Sequence, residues 1–167
     1  MQDYTFSKVY KRNHNKKLIL IVDDDKNIRF ILKTLFTKSN YQVETTGNIA
    51  GLHRLINNFT PDLIITDVKL PDGNFFNEFP DIKKQYPDLP VIIISAFSTL
   101  STAVKAVRQG AFEFISKPFD IKKVLHVTEN AFDELNVIKN KLKNRETKEF
   151  NKKLIGKSEP MLNIYHS

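Results

Sequence analysis

Three short runs of consecutive apolar residues constrain this chain more than any other feature. The runs are Leu18–Val22, Leu63–Ile65 and Val91–Ile94, and polar residues follow each of them. Short apolar runs of this kind predict strands buried on both faces, which is the usual condition of central strands in a parallel sheet. Between the runs, apolar residues recur at helical spacing, as do Ile28, Ile31, Leu32, Leu35 and Phe36.

Strand and helix signals go on alternating to about residue 135. Residues 41–45 alternate in polarity, as expected of an edge strand, and Phe112–Ser116 is predicted as a fifth strand. The fifth helix is predicted to start near Asp120 and to run on past Leu135. Five strands that alternate with five helices predict an α/β fold, a doubly wound parallel sheet with helices on both faces.

Composition excludes several classes of site. The 167 residues include no cysteine, so disulfides, thiolate zinc sites and thiol nucleophiles are excluded. No apolar run approaches the roughly 18 residues that a membrane helix needs, and residues 1–17 do not form a secretory signal, so we expect a cytoplasmic protein. The net charge of +7 comes from residues 1–17 and 138–167. We interpret these flanks as a solvated tail and linker, although basic flanks can also attract nucleic acid.

Acidic residues, a hydroxyl and a lysine follow the predicted strands. Asp23–Asp25 follow the first strand, Asp67 the third, Ser95 the fourth and Lys117 the fifth. Because ligands of open parallel sheets bind beyond the carboxyl ends of the strands, we expect these side chains to share one rim. A dinucleotide site is excluded, since aspartates stand where it requires glycines.

Carboxylates gathered in this way would either shift their pKa values or bind a cation. Two unit charges about 4 Å apart repel by roughly 4 kcal/mol at an effective dielectric constant near 20, and all-oxygen ligands favour Mg²⁺, Ca²⁺ or Mn²⁺. Together with a lysine and a hydroxyl, such a metal site suits a phosphoryl group.

Four motifs at these strand ends carry a resemblance to a known family. They are Leu-Ile-Val-Asp-Asp-Asp, Ile-Ile-Thr-Asp-Val-Lys-Leu-Pro-Asp-Gly, Ile-Ile-Ile-Ser-Ala and Phe-Ile-Ser-Lys-Pro-Phe. In this order they resemble the receiver domain of two-component response regulators, over about 120 of the 167 residues. The resemblance implies a CheY- and flavodoxin-like fold with strand order 2-1-3-4-5.

The resemblance also implies a role for each matching residue. Asp67 would accept a phosphoryl group from a sensor histidine kinase. Asp23, Asp24, Asp67 and the backbone carbonyl of Lys69 would hold Mg²⁺, with Mn²⁺ as an alternative.

Three further matches concern the response to phosphorylation. Ser95 and Lys117 would contact the phosphoryl group, and Phe114 would be the aromatic residue that changes rotamer. The Lys117–Pro118 bond matches a position that is often cis. Together these roles imply a switch that acts through the face made by the fourth helix, fifth strand and fifth helix.

Two features leave alternatives open. Three successive aspartates allow Asp24 and Asp25 as the acidic pair, although the apolar strand that ends at Val22 favours Asp23 and Asp24. Phe75 stands where receivers commonly have a glycine, so the loop after Asp67 is expected to differ in shape.

The end of the chain carries a second, shorter resemblance. Leu154–Met161 resembles the entry to the ATPase (AAA+) domain of sigma-54-dependent activators of the NtrC-like class, but Gly156–Ser158 is not a Walker motif because Asn151 replaces its first glycine. The expected organisation is a basic tail at 1–17, a receiver domain at 18–135, a helical linker at 136–153 and a truncated output domain at 154–167.

The resulting hypothesis is a bacterial phosphorylation-activated switch, not a metabolic enzyme, that catalyses only its own magnesium-dependent phosphorylation and dephosphorylation. Its expected partners are the kinase, its own output domain and a second copy, bound through the face named above and the linker helix. DNA would be bound only through missing domains. The alternatives are an aspartyl-phosphate phosphohydrolase, which would want an acid where Lys69 stands, and a vestigial interaction module.

Overall fold

The computed structural model describes residues 12–154, with side chains for residues 12–145. The strands of the main sheet are β1 (Leu18–Val22), β2 (Gln42–Thr46), β3 (Leu63–Thr66), β4 (Val91–Ser95) and β5 (Glu113–Ser116). The helices are α1 (Lys26–Lys38), α2 (Ile49–Phe59), α3 (Phe75–Gln85), α4 (Leu100–Arg108) and α5 (Ile121–Leu154).

The five strands form one parallel sheet in the order β2-β1-β3-β4-β5. Every residue of β1, β3 and β4 is buried, whereas β2 lies at an edge and is only partly buried. The predicted fold class and strand order are therefore confirmed. The strand order reverses between β1 and β3, because the connection after β1 leads to one side of the sheet and the connection after β3 leads to the other. Such a reversal opens a crevice at the carboxyl ends of the two strands.

Polar side chains begin the helices soon after the strands end. Asp25, Asn48, Asn74 and Thr99 each accept a hydrogen bond from a backbone N–H in the first turn of α1, α2, α3 and α4, respectively. These N-caps satisfy donors that a helix cannot pair internally. They also fix where each loop stops, so the loops at the rim are short.

The loop between β3 and α3 contains an element that the sequence pattern did not predict. Lys69–Leu70 pairs with Gly73–Asn74 as a small antiparallel ladder. Phe75 then starts α3, completely buried, and its ring lies 5.0 Å from that of Phe79. The expected difference in loop shape thus takes the form of a turn with a core aromatic residue behind it.

Residues 12–17 are mostly exposed, as expected of a solvated tail, but Arg12 is paired with the domain. Arg12 donates to the Asp62 carboxylate at 2.7 Å and to the Lys16 carbonyl at 3.0 Å, and the same Asp62 oxygen accepts the Leu18 N–H. Arg12 therefore ties this segment to the ends of β1 and β3 where those strands begin.

The chain divides into two units, with the boundary between Thr128 and Glu129 inside α5. In the second unit, α5 continues as helix to Leu154 and exposes Val137, Ile138 and Leu142. The domain limits predicted from the sequence remain predictions. The part of the tail at residues 1–11 and nearly all of the segment predicted as output domain lie outside the described residues.

Candidate functional site

Two buried carboxylates stand side by side at the carboxyl ends of β1 and β3. The Asp67 N–H donates to the Val22 carbonyl at 2.9 Å, which places Asp67 level with Asp23. Carboxylate oxygens of Asp23, Asp24 and Asp67 lie within 4.8 Å of one another. Asp23 and Asp67 are buried and Asp24 is exposed, so the cluster opens to solvent on the Asp24 side.

Lys117 joins the two buried carboxylates. Its Nζ lies 2.7 Å from Asp67 Oδ2 and 2.8 Å from Asp23 Oδ2. Its backbone N–H donates to the Ser95 carbonyl at 2.9 Å, where β5 continues its pairing with β4. The Lys117–Pro118 bond is cis, as the family resemblance implies. Side chains from three strand ends are thus in direct contact.

Burial and pairing act on these groups in opposite directions. Burial raises the pKa of Asp23 above its usual 3.8, although hydrogen bonds from Lys117 and the Asp25 N–H lower it. Burial alone would lower the pKa of Lys117, but hydrogen bonds and charge from Asp23 and Asp67 outweigh it and raise the pKa above 10.5. Three carboxylates thus share the one ammonium of Lys117, and a further cation near them would be favourable.

The three successive aspartates have different environments. Asp23 accepts the Asp25 N–H at 2.9 Å, and Asp25 in turn accepts the Asn27 N–H at 2.8 Å as the N-cap of α1. Asp25 is thus engaged with the helix, while Asp23 and Asp24 belong to the cluster with Asp67. This geometry favours Asp23 and Asp24 as the acidic pair.

Ser95 lies at the end of β4 and is completely buried. Its Oγ accepts the Phe97 N–H at 3.0 Å. The exposed Lys69 extends its ammonium over the ring of Phe97, 3.7 Å from the centroid, so a cation–π contact joins the loops that follow β3 and β4. The Lys69 backbone carbonyl lies in the loop after Asp67, where the family resemblance puts a metal ligand.

Phe114 is half-buried in β5 and packs against the hydrophobic core. Its change of rotamer remains a prediction.

Sequence reasoning missed two residues next to the site. Arg29 donates to the Asp23 carbonyl at 2.6 Å. Asp72 accepts the N–H groups of Ile49 and Ala50 at 2.8 and 3.0 Å, and these bonds lower the pKa of Asp72 below 3.8. Both side chains bond to backbone atoms, Arg29 to a carbonyl six residues before it and Asp72 to N–H groups more than twenty residues before it. No residue type or spacing in the sequence signals a bond to the backbone.

The donor set fits a hard divalent cation. All candidate ligands are oxygens, as Mg²⁺ prefers. A carboxylate offers about four acceptor positions, and Asp23 and Asp67 each use two of them within residues 12–145, one for Lys117 and one for a backbone N–H. Acceptor positions therefore remain for a metal ion.

Comparison with known proteins agrees with this geometry. Residues 19–129 match the family model of the response regulator receiver domain. The DNA-binding transcriptional regulator NtrC of Azospirillum brasilense is 47% identical over 115 residues, which are 69% of this chain and 24% of that protein. The chain thus spans about a quarter of the length of the curated relatives it matches.

Solved structures show the same fold. A CheY-like response regulator receiver domain protein from Methanospirillum hungatei JF-1 superposes with a TM-score of 0.69 at 28% identity, covering 72% of this chain and 97% of that one. The beryllofluoride-activated NtrC4 receiver domain dimer gives a TM-score of 0.67 at 33% identity, covering 71% of this chain and 98% of that one. Among the described helices, none combines the length and hydropathy that a bilayer span requires.

Proposed function

The chain belongs to the response regulator receiver domain family, and we propose that it is a magnesium-dependent switch in which Asp67 accepts a phosphoryl group from a sensor histidine kinase. The contact that carries this proposal is the pairing of Lys117 Nζ with Asp67 Oδ2 at 2.7 Å, beside the carboxylates of Asp23 and Asp24. A nucleophilic carboxylate, an adjacent ammonium and further oxygen ligands are what phosphoryl transfer requires.

In the proposed reaction, an oxygen of Asp67 attacks the phosphorus of a phosphohistidine. The P–O bond to Asp67 forms as the P–N bond breaks, and the electron pair of the P–N bond returns to the imidazole nitrogen. Lys117 would follow the incoming negative charge, and the Ser95 hydroxyl would donate to a phosphoryl oxygen after leaving the Phe97 N–H. Mg²⁺, when held by Asp23, Asp24, Asp67 and the Lys69 carbonyl, would neutralise phosphoryl oxygens.

The relatives suggest what the switch controls. The similar NtrC proteins are DNA-binding transcriptional regulators, and this chain corresponds to about a quarter of their length. We therefore propose a cytoplasmic regulator in which residues 18–135 are the receiver, residues 136–153 a linker, and residues from 154 the start of an ATPase output domain. DNA contacts would belong to further domains.

We also propose a second copy of the chain as a partner. The face made by α4, β5 and the start of α5 exposes apolar residues in the first unit, namely Leu100, Val104, Val107 and Ile121. The NtrC4 receiver domain is a dimer when activated by beryllofluoride. Phosphorylation would favour the same assembly here by shifting the conformational population.

The alternative functions receive less support. A phosphohydrolase would place an acid where Lys69 stands, and the ammonium of Lys69 lies over Phe97. A vestigial module would not need three carboxylates and a paired lysine at one rim. We therefore class the chain as a signalling switch whose own chemistry is limited to gaining and losing its phosphoryl group.

Labelling with acetyl phosphate tests the proposal. In the presence of Mg²⁺, intact-protein mass spectrometry should show the addition of one phosphoryl group, and both Asp67→Asn and chelation of the metal should abolish it. Asp62→Asn is unsuitable as a control because Asp62 ties down Arg12, whereas the exposed Asp81→Asn should label like wild type. Absence of labelling in folded wild type, or equal labelling of Asp67→Asn, would contradict the proposed function.

A further inference from the structure

Arg29 contacts the backbone between the two acidic residues of the site. It lies in the first turn of α1 and is half-buried, and its Nη1 donates to the Asp23 carbonyl at 2.6 Å. That carbonyl belongs to the peptide group that joins Asp23 to Asp24. We propose that Arg29 is a positioning residue, which fixes this peptide group so that the Asp24 carboxylate faces the metal ion. This inference rests on the proposed metal site.

A glycine makes room for the guanidinium. A Cβ atom at Gly47 would lie 2.9 Å from Arg29 Nη1 and 3.6 Å from its Cζ, so the guanidinium rests against the bare backbone of this residue. Gly47 directly follows β2, and the Thr46 carbonyl before it accepts the Asp23 N–H at 3.0 Å. Arg29 therefore holds the loop after β1 against the loop after β2.

Asp24 is the ligand that depends most on its backbone. The carboxylates of Asp23 and Asp67 are oriented by Lys117 and by backbone N–H groups. The Asp24 carboxylate is exposed, and none of the hydrogen bonds found within residues 12–145 involves it. Its direction therefore depends on the two peptide groups that flank it. Arg29 holds the one on the amino-terminal side, and the N–H of the one on the carboxyl side donates to the Asp23 carboxylate. Ligands held in place before the metal arrives lose less conformational entropy when they bind it.

The sign of the effect separates positioning from simple charge. Arg29 places a positive charge beside a cation site, so by Coulomb repulsion alone its removal would tighten Mg²⁺ binding. Loss of positioning acts in the opposite direction. Replacing a residue that orients a metal ligand typically weakens metal affinity by about 10- to 100-fold. We expect Arg29→Ala to weaken Mg²⁺ binding about tenfold.

A double-mutant cycle with Gly47 tests the contact itself. Mg²⁺ affinity is measured by titration calorimetry on the full 167-residue chain. Gly47→Ala should weaken binding in the wild-type background, because its methyl group displaces the guanidinium. It should have less than about a twofold effect in the Arg29→Ala background, where the methyl group meets only the Asp23 carbonyl at an ordinary 3.6 Å. The backbone of Gly47 is outside the left-handed region, so alanine adds no strain there.

Two controls and a stability measurement complete the test. Arg54→Ala removes an exposed arginine from α2, and Lys26→Ala removes an exposed cation from the first turn of α1; neither should weaken Mg²⁺ binding. Thermal unfolding in chelator establishes that each variant is folded. If Arg29→Ala does not fold, the Mg²⁺ affinity of Gly47→Ala alone decides the test. Unchanged or tighter Mg²⁺ binding by folded Arg29→Ala, or by Gly47→Ala, overturns this inference. If wild type itself binds no Mg²⁺, the proposed function fails instead.

Discussion

Lys117 supplies the positive charge that offsets two buried carboxylates when no metal ion is bound. Replacing it by methionine keeps most of the apolar stem but leaves Asp23 and Asp67 facing each other. Breaking such a pair costs several kcal/mol in a closed interior, and in this solvent-accessible site we expect Lys117→Met to lower the free energy of unfolding by about 1–3 kcal/mol in chelator. Urea denaturation measures the loss.

Mg²⁺ should restore part of this stability, because it neutralises the same carboxylates. The increase in urea midpoint on adding Mg²⁺ should therefore be larger for Lys117→Met than for wild type. Equal increases in the two proteins would mean that lysine and metal do not share ligands.

The raised pKa of Lys117 adds a dependence on pH with a definite sign. Since the folded protein holds this proton more tightly than the unfolded chain, the ammonium contributes stability below its usual pKa of 10.5. That contribution is lost as pH rises through the raised pKa of the folded state. The stability difference between wild type and Lys117→Met, followed by urea denaturation, should therefore narrow in strongly alkaline buffer. A difference that widens there would contradict this account.

Site residues differ in whether the sequence alone could predict them, and the difference lies in the kind of contact each one makes. Asp67 and Lys117 were predictable because each follows a strand directly, and parallel strands bring their carboxyl ends to one rim. Arg29 was not, because it reaches a backbone carbonyl, and every residue has one. Arg12 was not predictable for a different reason, because it is one of several basic residues in the tail and its partner Asp62 lies 50 residues away.

The side chain of Asp72 joins the loop after Asp67 to the start of α2. Asp72 accepts two N–H groups at the start of α2, so its negative charge also lies at the positive end of the helix. The lowered pKa of Asp72 means that this contribution to stability is present above pH 3.8 and is lost as pH falls through the folded-state pKa. Asp72→Ala should therefore lower the urea midpoint at neutral pH, and the difference from wild type should vanish in strong acid.

Asp81→Ala is the matched control, because it removes an exposed carboxylate from α3. It should leave the midpoint nearly unchanged at both pH values. A difference for Asp72→Ala that persists in strong acid would show that the two hydrogen bonds do not depend on the charge of Asp72.

The three central strands of the main sheet were predictable because each is an apolar run too short for a typical helix and is followed by polar residues. The ladder of Lys69–Leu70 with Gly73–Asn74 has two residues per strand, too few for any periodicity. Phe75 could be recognised as unusual for its position but not as the completely buried residue that it is. Its burial depends on the direction in which the small ladder turns the chain.

At the scale of the whole molecule, the number and order of layers followed from strand and helix alternation. The boundary between the two units could not be read from that alternation, because α5 continues past Thr128 without a break in helical structure. A helical pattern reports which residues share a face, and it carries no signal where a domain ends within a helix. Assembly with a second copy is likewise outside what periodicity can establish.

Light scattering with and without beryllofluoride and Mg²⁺ tests that assembly. We expect the mass of wild type to rise toward that of a dimer when both are added. Leu100→Glu and Val107→Glu, whose side chains are 81% and 65% exposed on α4, should reduce the rise, because a buried glutamate would lose its hydration. Phe30→Glu, 72% exposed on α1, is the matched control and should dimerise like wild type.

The linker helix is tested separately by Ile138→Glu and Leu142→Glu, both exposed in the second unit. If the α4 variants abolish the response and the linker variants do not, the receiver face carries the dimer and communicates phosphorylation to it. If only the linker variants abolish it, the seam along α5 holds the two copies together instead, and the exposed apolar residues of α4 have another partner. A wild-type mass that does not change on activation would rule out dimerisation as the output of this switch.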